Sequence, residues 1–155
     1  MASPSDQIYA AALTRIEQLL DAPSFKIADG LPQDIPEEAV YLFSERGEPL
    51  YVGRTGGLRK RLLQHTWCSH SGATFAFILA RKITGRLKPS YTTKDSRADL
   101  LKNDEIFKKC FKRQLKRIKR MDVQWVEEPD QVTQAVLEVF AAVETGAKYN
   151  KFDNT

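Results

Sequence analysis

Two short β-prone runs, Ala39–Phe43 and Leu50–Val52, are separated only by Ser44-Glu45-Arg46-Gly47-Glu48-Pro49. A connection that short, carrying a glycine and a proline, joins antiparallel neighbours, so the pair predicts a hairpin. Most of the remaining chain has helical spacing, which leaves the hairpin few partners. Residues 6–20 place Ile8, Ala11, Ala12, Ile16, Leu19 and Leu20 at helical intervals behind Ser5 and Asp6, either able to cap the first turn, and Pro23 ends the run. Residues 21–38 hold Pro23, Gly30, Pro32 and Pro36 and read as an irregular connection, with the folded core expected to start near Glu38. Gly56–Trp67 reads as a basic amphipathic helix with Leu58, Leu62 and Leu63 on one face. Ala73–Ile83 reads as a buried helix ended at Gly85, with Pro89, Ser90 and two threonines continuing the loop. From Arg97 to Arg120, Leu100, Leu101, Phe107, Phe111, Leu115 and Ile118 form one stripe of a single long helix. Met121–Glu127 alternates as a third strand, with Val123, Trp125 and Glu127 on one side. Gln131–Gly146 returns to helical spacing through Val132, Ala135, Val136, Val139, Phe140 and Val143, with Gly146 as its C-cap.

A chain of 155 residues supports one hydrophobic core rather than two. Its hydrophobic fraction of 42% and charged fraction of 28% are those of a soluble protein, and no apolar run nears the roughly 20 residues that span a bilayer. No membrane partner is expected. The first residues lack a basic stretch followed by an apolar one, so an intracellular, cytoplasmic protein is expected. Cys68 and Cys110 are too few for a disulfide scaffold and read as reduced thiols. Charge is distributed unevenly. The first 40 residues carry 2 basic and 7 acidic side chains and the last 35 carry the same numbers, whereas residues 41–120 hold 20 basic against 6 acidic. Lys108, Lys109, Lys112, Arg113, Lys116, Arg117, Lys119 and Arg120 put eight cations into thirteen residues. Such density implies either a polyanionic partner or a set of solvated helix faces.

Several spaced features are similar to those of the GIY-YIG endonuclease superfamily. Ala39-Val40-Tyr41 stands where that family has its first tripeptide, and Tyr51-Val52-Gly53 follows ten residues later as the second. Arg61 comes ten residues after Tyr51, within Leu58-Arg59-Lys60-Arg61-Leu62, and His65 follows it by one helical turn. Glu138 lies inside a later helix and Asn150 follows twelve positions on, in a Tyr-Asn pair. The resemblance covers Ala39 to Asn150. It implies an α/β (α+β) fold in which a three-stranded antiparallel sheet is flanked by helices. Residues 1–38 would then be an N-terminal helical extension and linker, and residues 39–155 a nuclease domain with a basic helical insertion at about 70–120.

The resemblance also implies a metal-dependent endonuclease that hydrolyses phosphodiester bonds, with DNA the expected substrate. Glu138 would hold Mg²⁺ (or Mn²⁺), which keeps several waters and needs few protein ligands. Arg61 would stabilise charge on the phosphoryl oxygens, a task that suits a planar, permanently charged guanidinium. Tyr41 would be the base and Tyr51 would orient its neighbours. A phenol with a pKa of about 10 needs cations beside it to do this at neutral pH. Arg54, Arg61 and His65 are the available neighbours, with His65 able to relay the proton. Arg54 stands where many relatives have lysine, and Ala39 where they have glycine. Arg54, Arg59, Lys60 and the cations from Lys108 to Arg120 are expected to contact nucleic acid. A homodimer would suit double-strand cleavage, since one site of this kind cuts one strand.

The same residues also have plainer readings. Tyrosines on strands usually pack, Asn150 suits a turn, and His65 suits the end of a helix. A glutamate among Val136, Leu137, Val139 and Phe140, however, needs a partner. Trp67 and Trp125 read as core or rim aromatics. Cys68 and His70 lack the second pair a zinc site requires, and Gly53-Arg54-Thr55-Gly56-Gly57 lacks the ending of a phosphate loop. The alternative to a nuclease is a non-catalytic nucleic-acid-binding module with the same fold.

Overall fold

A computed structural model describes residues 1–67, 72–86 and 96–152 of the chain. Cys68, His70 and the loop with Pro89 and Ser90 lie outside the described residues. The chain falls into two compact units, Met1–Arg59 with Met121–Thr155, and Lys60–Arg120. Among the described residues no helix is long and apolar enough to cross a membrane.

The first unit contains α1 (Pro4–Asp21), a 3-10 turn (Ile27–Asp29), β1 (Ala39–Glu45), β2 (Glu48–Thr55), β3 (Asp122–Glu127) and α6 (Gln131–Thr145). The helix α1 starts two residues before the expected position. Ser3 accepts from the Asp6 N–H and the Asp6 carboxylate accepts from the Ser3 N–H, a reciprocal cap with Pro4 in the first turn. The six-residue connection of the hairpin shrinks to Arg46-Gly47, both at positive φ (52° and 77°), because a turn of that hand matches the twist of paired strands. The strands run antiparallel in the order β2-β1-β3. Both outer edges are partly covered. Phe25 exchanges backbone hydrogen bonds with Val123 on β3, at 2.9 and 2.8 Å, and the Tyr149 N–H donates to the Leu50 carbonyl on β2 at 2.9 Å.

One sheet face, bearing Val40, Leu42, Val52 and Val126, packs with Ala12, Ile16 and Leu19 of α1 and Leu137, Ala141 and Ala142 of α6. The core therefore begins at Ala12, not near Glu38, and the N-terminal helix is part of this unit rather than an extension. On α6, the stripe that marks the helix in the sequence is only partly inward, through Val136 and Phe140, which pack against the core. Val132, Val139 and Val143 are exposed, while Thr133, Gln134, Leu137, Ala141 and Ala142 are buried.

The second unit holds α3 (Thr74–Thr84), α4 (Arg97–Asn103) and α5 (Glu105–Lys119), and its boundary falls within α2 (Leu58–Gln64). Phe77 of α3 packs against Phe107 and Phe111 of α5, with ring centroids 5.8 and 4.5 Å apart, and the Arg97 guanidinium lies 5.1 Å from its centroid. The single helix expected over 97–120 is two. Asp104 adopts φ −114° and ψ 98°, and its carboxylate accepts from the Phe107 N–H at 3.0 Å and pairs with Arg86 at 3.0 Å. An aspartate that caps a following helix interrupts the preceding one.

Candidate active site

Tyr41 lies on the central strand directly opposite Gly53 of β2 and is 1% exposed. A Cβ built on Gly53 would overlap Cζ and Oη of the Tyr41 ring. The glycine of the second tripeptide is thus the seat of the tyrosine of the first. Phe43 meets the Tyr41 ring edge-on at 5.8 Å, and Tyr51, opposite Phe43, is half-buried. Pairing and strand alternation put Tyr41, Phe43, Tyr51 and Gly53 on the face opposite to Val40, Leu42 and Val52.

Asn150 follows α6 and its Gly146 cap (φ 66°) and runs beside β2. Its Oδ1 accepts from the Val52 N–H at 2.7 Å, and its Nδ2 donates to the Val52 carbonyl at 2.8 Å. One side-chain amide therefore replaces a neighbouring strand at the middle residue of the Tyr51-Val52-Gly53 tripeptide. In this arrangement Asn150 is a positioning residue.

Glu138 is half-buried on α6. Burial raises its pKa above the ordinary value, while the Arg54 charge and a hydrogen bond from the Arg54 N–H pull it down by less. Arg54 Nη1 also contacts Gln134 Oε1 at 3.4 Å, one turn before Glu138. Gln134 is buried, and its Nε2 donates to the Thr55 and Glu128 carbonyls at 3.2 and 3.1 Å. The sequence reading missed this residue. Its signal is a buried-face amide four positions before the glutamate. Arg54, Thr55, Gly56, Glu38, Gln131 and Gln134 line a cleft of about 360 Å³. The side-chain contact of Arg54 is thus made to α6, and alternation directs it away from the Tyr41 phenol it was expected to assist.

Among the described residues no group of three or more His, Cys, Asp or Glu could hold a metal. A cation at Glu138 would rest on that carboxylate plus oxygens from water and phosphate, a donor set of the hard kind that Mg²⁺ accepts. The residues fit such an ion. A half-buried carboxylate whose burial outweighs its one cationic neighbour would gain from a positive charge.

In the second unit, Arg61 is half-buried, and its Nη1 donates to the Gly72 carbonyl at 3.0 Å and to Gln64 Oε1 at 3.4 Å. His65, one turn on, is fully buried with its ring edge-on to Phe75 at 6.5 Å. Burial and then the Arg61 charge lower its pKa to about 3, so the imidazole is neutral at pH 7 and accepts a proton poorly. Such a group does not suit the relay the sequence suggested. Along α5, Lys109, Lys112, Arg113, Lys116 and Lys119 are exposed, as is Arg120 just beyond, while Lys108 and Arg117 are half-buried. Arg113, Lys116, Arg117 and Arg120 line a depression of about 280 Å³. Lys60 is exposed. In the first unit, Arg59 instead donates to the carbonyls of Pro32 and Gln33.

The structure joins Tyr41 to Gly53, Asn150 to Val52, Glu138 to Arg54, and Arg54 to Gln134 within the first unit. Arg61 and His65 belong to the second. Compared with protein-family models, curated proteins and solved structures, the chain gives no match.

Proposed function

We propose that the chain is a metal-dependent endonuclease of the GIY-YIG kind that hydrolyses phosphodiester bonds in DNA. The observation that carries this reading is Glu138, a half-buried carboxylate kept on α6 with Arg54 as its cationic neighbour. Glu138 would hold Mg²⁺ or Mn²⁺, which polarises a phosphoryl oxygen and lowers the pKa of bound water. Tyr41 is the candidate acceptor of the water's proton. Asn150 fixes the strand that carries Tyr51 and Gly53. The cations of α5 hold the nucleic-acid backbone, and two copies of the chain cut both strands.

The enclosed Tyr41 (1% exposed) and the neutral His65 favour the second reading, a nucleic-acid-binding module without catalysis. Incubating supercoiled plasmid with the protein and Mg²⁺ or Mn²⁺, beside Glu138→Ala, separates the two. Metal-dependent nicking that the variant loses supports the nuclease. Intact plasmid, with the protein still bound to it, supports the module.

A further inference from the structure

Gln134 is 4% exposed on α6, and a buried amide is costly unless its polar atoms find partners. Both of its Nε2 protons are committed. One goes to the Thr55 carbonyl at 3.2 Å, at the end of β2, and the other to the Glu128 carbonyl at 3.1 Å, just beyond β3. The amide thus ties the ends of the two outer strands to the helix. Two carbonyls at one side of the amide also fix which way round it lies, since the reversed amide would set three oxygens against one another. That leaves Oε1 a single direction, and Arg54 Nη1 stands in it at 3.4 Å.

Arg54 meets α6 twice. Its guanidinium contacts Gln134, and its backbone N–H donates to the Glu138 carboxylate, one helical turn further along the same face. Four residues of helix rise about 6 Å, so guanidinium and carboxylate are near enough to act on one phosphate. An exposed arginine that must be ordered during the reaction serves it less well than a charge already in place. From the fixed orientation of the amide we infer that Gln134 is a positioning residue, which anchors Arg54 beside Glu138 so that the guanidinium stands ready for the phosphoryl oxygens. The contact with Gln134 uses one guanidinium N–H and leaves others for a ligand in the cleft of about 360 Å³ that Arg54 lines. This inference deepens the nuclease reading and rests on it for the role of Glu138. If the amide served the two carbonyls alone, its loss would act on the fold whatever stood at position 54.

Two measurements on the full chain test it. The first is ¹⁵N relaxation of the Arg54 Nε–H group by NMR, without metal or DNA. Its order parameter should exceed about 0.6 in the wild-type chain and fall well below that in Gln134→Met, which keeps the length of the side chain but removes the amide. Backbone amides of the sheet, recorded in the same spectra, report whether the variant is folded. The second is a double-mutant cycle on Mg²⁺-dependent plasmid nicking with Gln134→Met, Arg54→Ala and both. Gln134→Met alone should lower kcat roughly tenfold with KM changed less than about twofold, and should lower kcat little further once residue 54 is alanine. A general loosening of the fold would appear in both backgrounds. An Arg54 side chain already mobile in the wild-type chain overturns the proposal, whether or not the variant folds. So does order indifferent to Gln134→Met, and so do losses in kcat that simply multiply. A wild-type chain that never nicks, with Arg54 ordered through Gln134, supports the anchoring and overturns the catalytic reading instead.

Discussion

At Gly53 the Tyr41 ring leaves room for a hydrogen and nothing larger. Gly53→Ala should therefore cost about 1–3 kcal/mol, the usual penalty for overpacking. Denaturant midpoints for Gly53→Ala, Tyr41→Ala and the double variant check this. The double variant should be more stable than the two losses predict together, because removing the ring relieves the clash; additive losses would show that the ring is not the obstacle. Glu138 carries the opposite kind of tension. Its folded pKa is raised, so the folded chain binds its proton more tightly than the unfolded chain does. The stability it contributes is present below the unfolded pKa and is lost as pH rises through the folded one. Glu138→Gln should raise Tm at neutral pH, with the gain vanishing in acid, and should abolish metal-dependent nicking. Mg²⁺ should raise Tm of the wild-type chain but not of the variant. Equal shifts in both would place the cation elsewhere. Both tyrosines and the glutamate are candidates through the resemblance of their surroundings to the family's motifs. The amide of Gln134, four positions before the glutamate, is a faint sign whose meaning depends on two carbonyls brought near by the fold, and the pair of hydrogen bonds between Asn150 and Val52 leaves no sign at all.

Three strands and the antiparallel pairing of the first two are legible from alternation and a short turn, which depend on near neighbours or on period two, whereas the place of β3 beside β1, about 80 residues away, is implied only by the resemblance. Helix boundaries depend on caps, and there the reading slipped. The apolar stripe runs across Asp104 from Leu100 to Phe107, so periodicity alone joins α4 to α5. Asp104 separates them by capping Phe107 and pairing with Arg86. Asp104→Ala should cost about 1 kcal/mol through the lost cap, read as a fall in the urea midpoint, whereas Asp104→Asn, which keeps an acceptor, should lose less. Equal losses would shift the weight to the ion pair. The same limit explains α6. Periodicity finds a helix but cannot say which part of a broad apolar surface turns inward, and Val132, Val139 and Val143 turn outward.

Across the whole molecule the charge is partitioned by sequence region, with 20 basic and 6 acidic residues over 41–120 and acidic excess on either side. The exposed cations of α5 lie on the face opposite Phe107, Phe111, Leu115 and Ile118, so burying the apolar stripe gathers them on one surface. Repulsion among them is relieved when phosphates replace small counterions, and release of those ions makes affinity fall linearly with salt on logarithmic axes. Duplex DNA measured by fluorescence anisotropy without divalent metal isolates this binding from cleavage. Affinity should fall steeply as salt rises, with a slope of about 0.9 for each phosphate neutralised. Lys112→Gln and Lys116→Gln should each reduce the slope by about 1 and weaken binding alike on unrelated sequences, since phosphate contacts carry no base information. Arg59→Gln should leave the slope nearly unchanged, because its guanidinium is engaged by Pro32 and Gln33. A slope unaltered by the α5 substitutions but reduced by the Arg59 change would place the backbone contact near the start of α2. A shallow slope for the wild-type chain would mean that the cations of α5 are a solvated helix face.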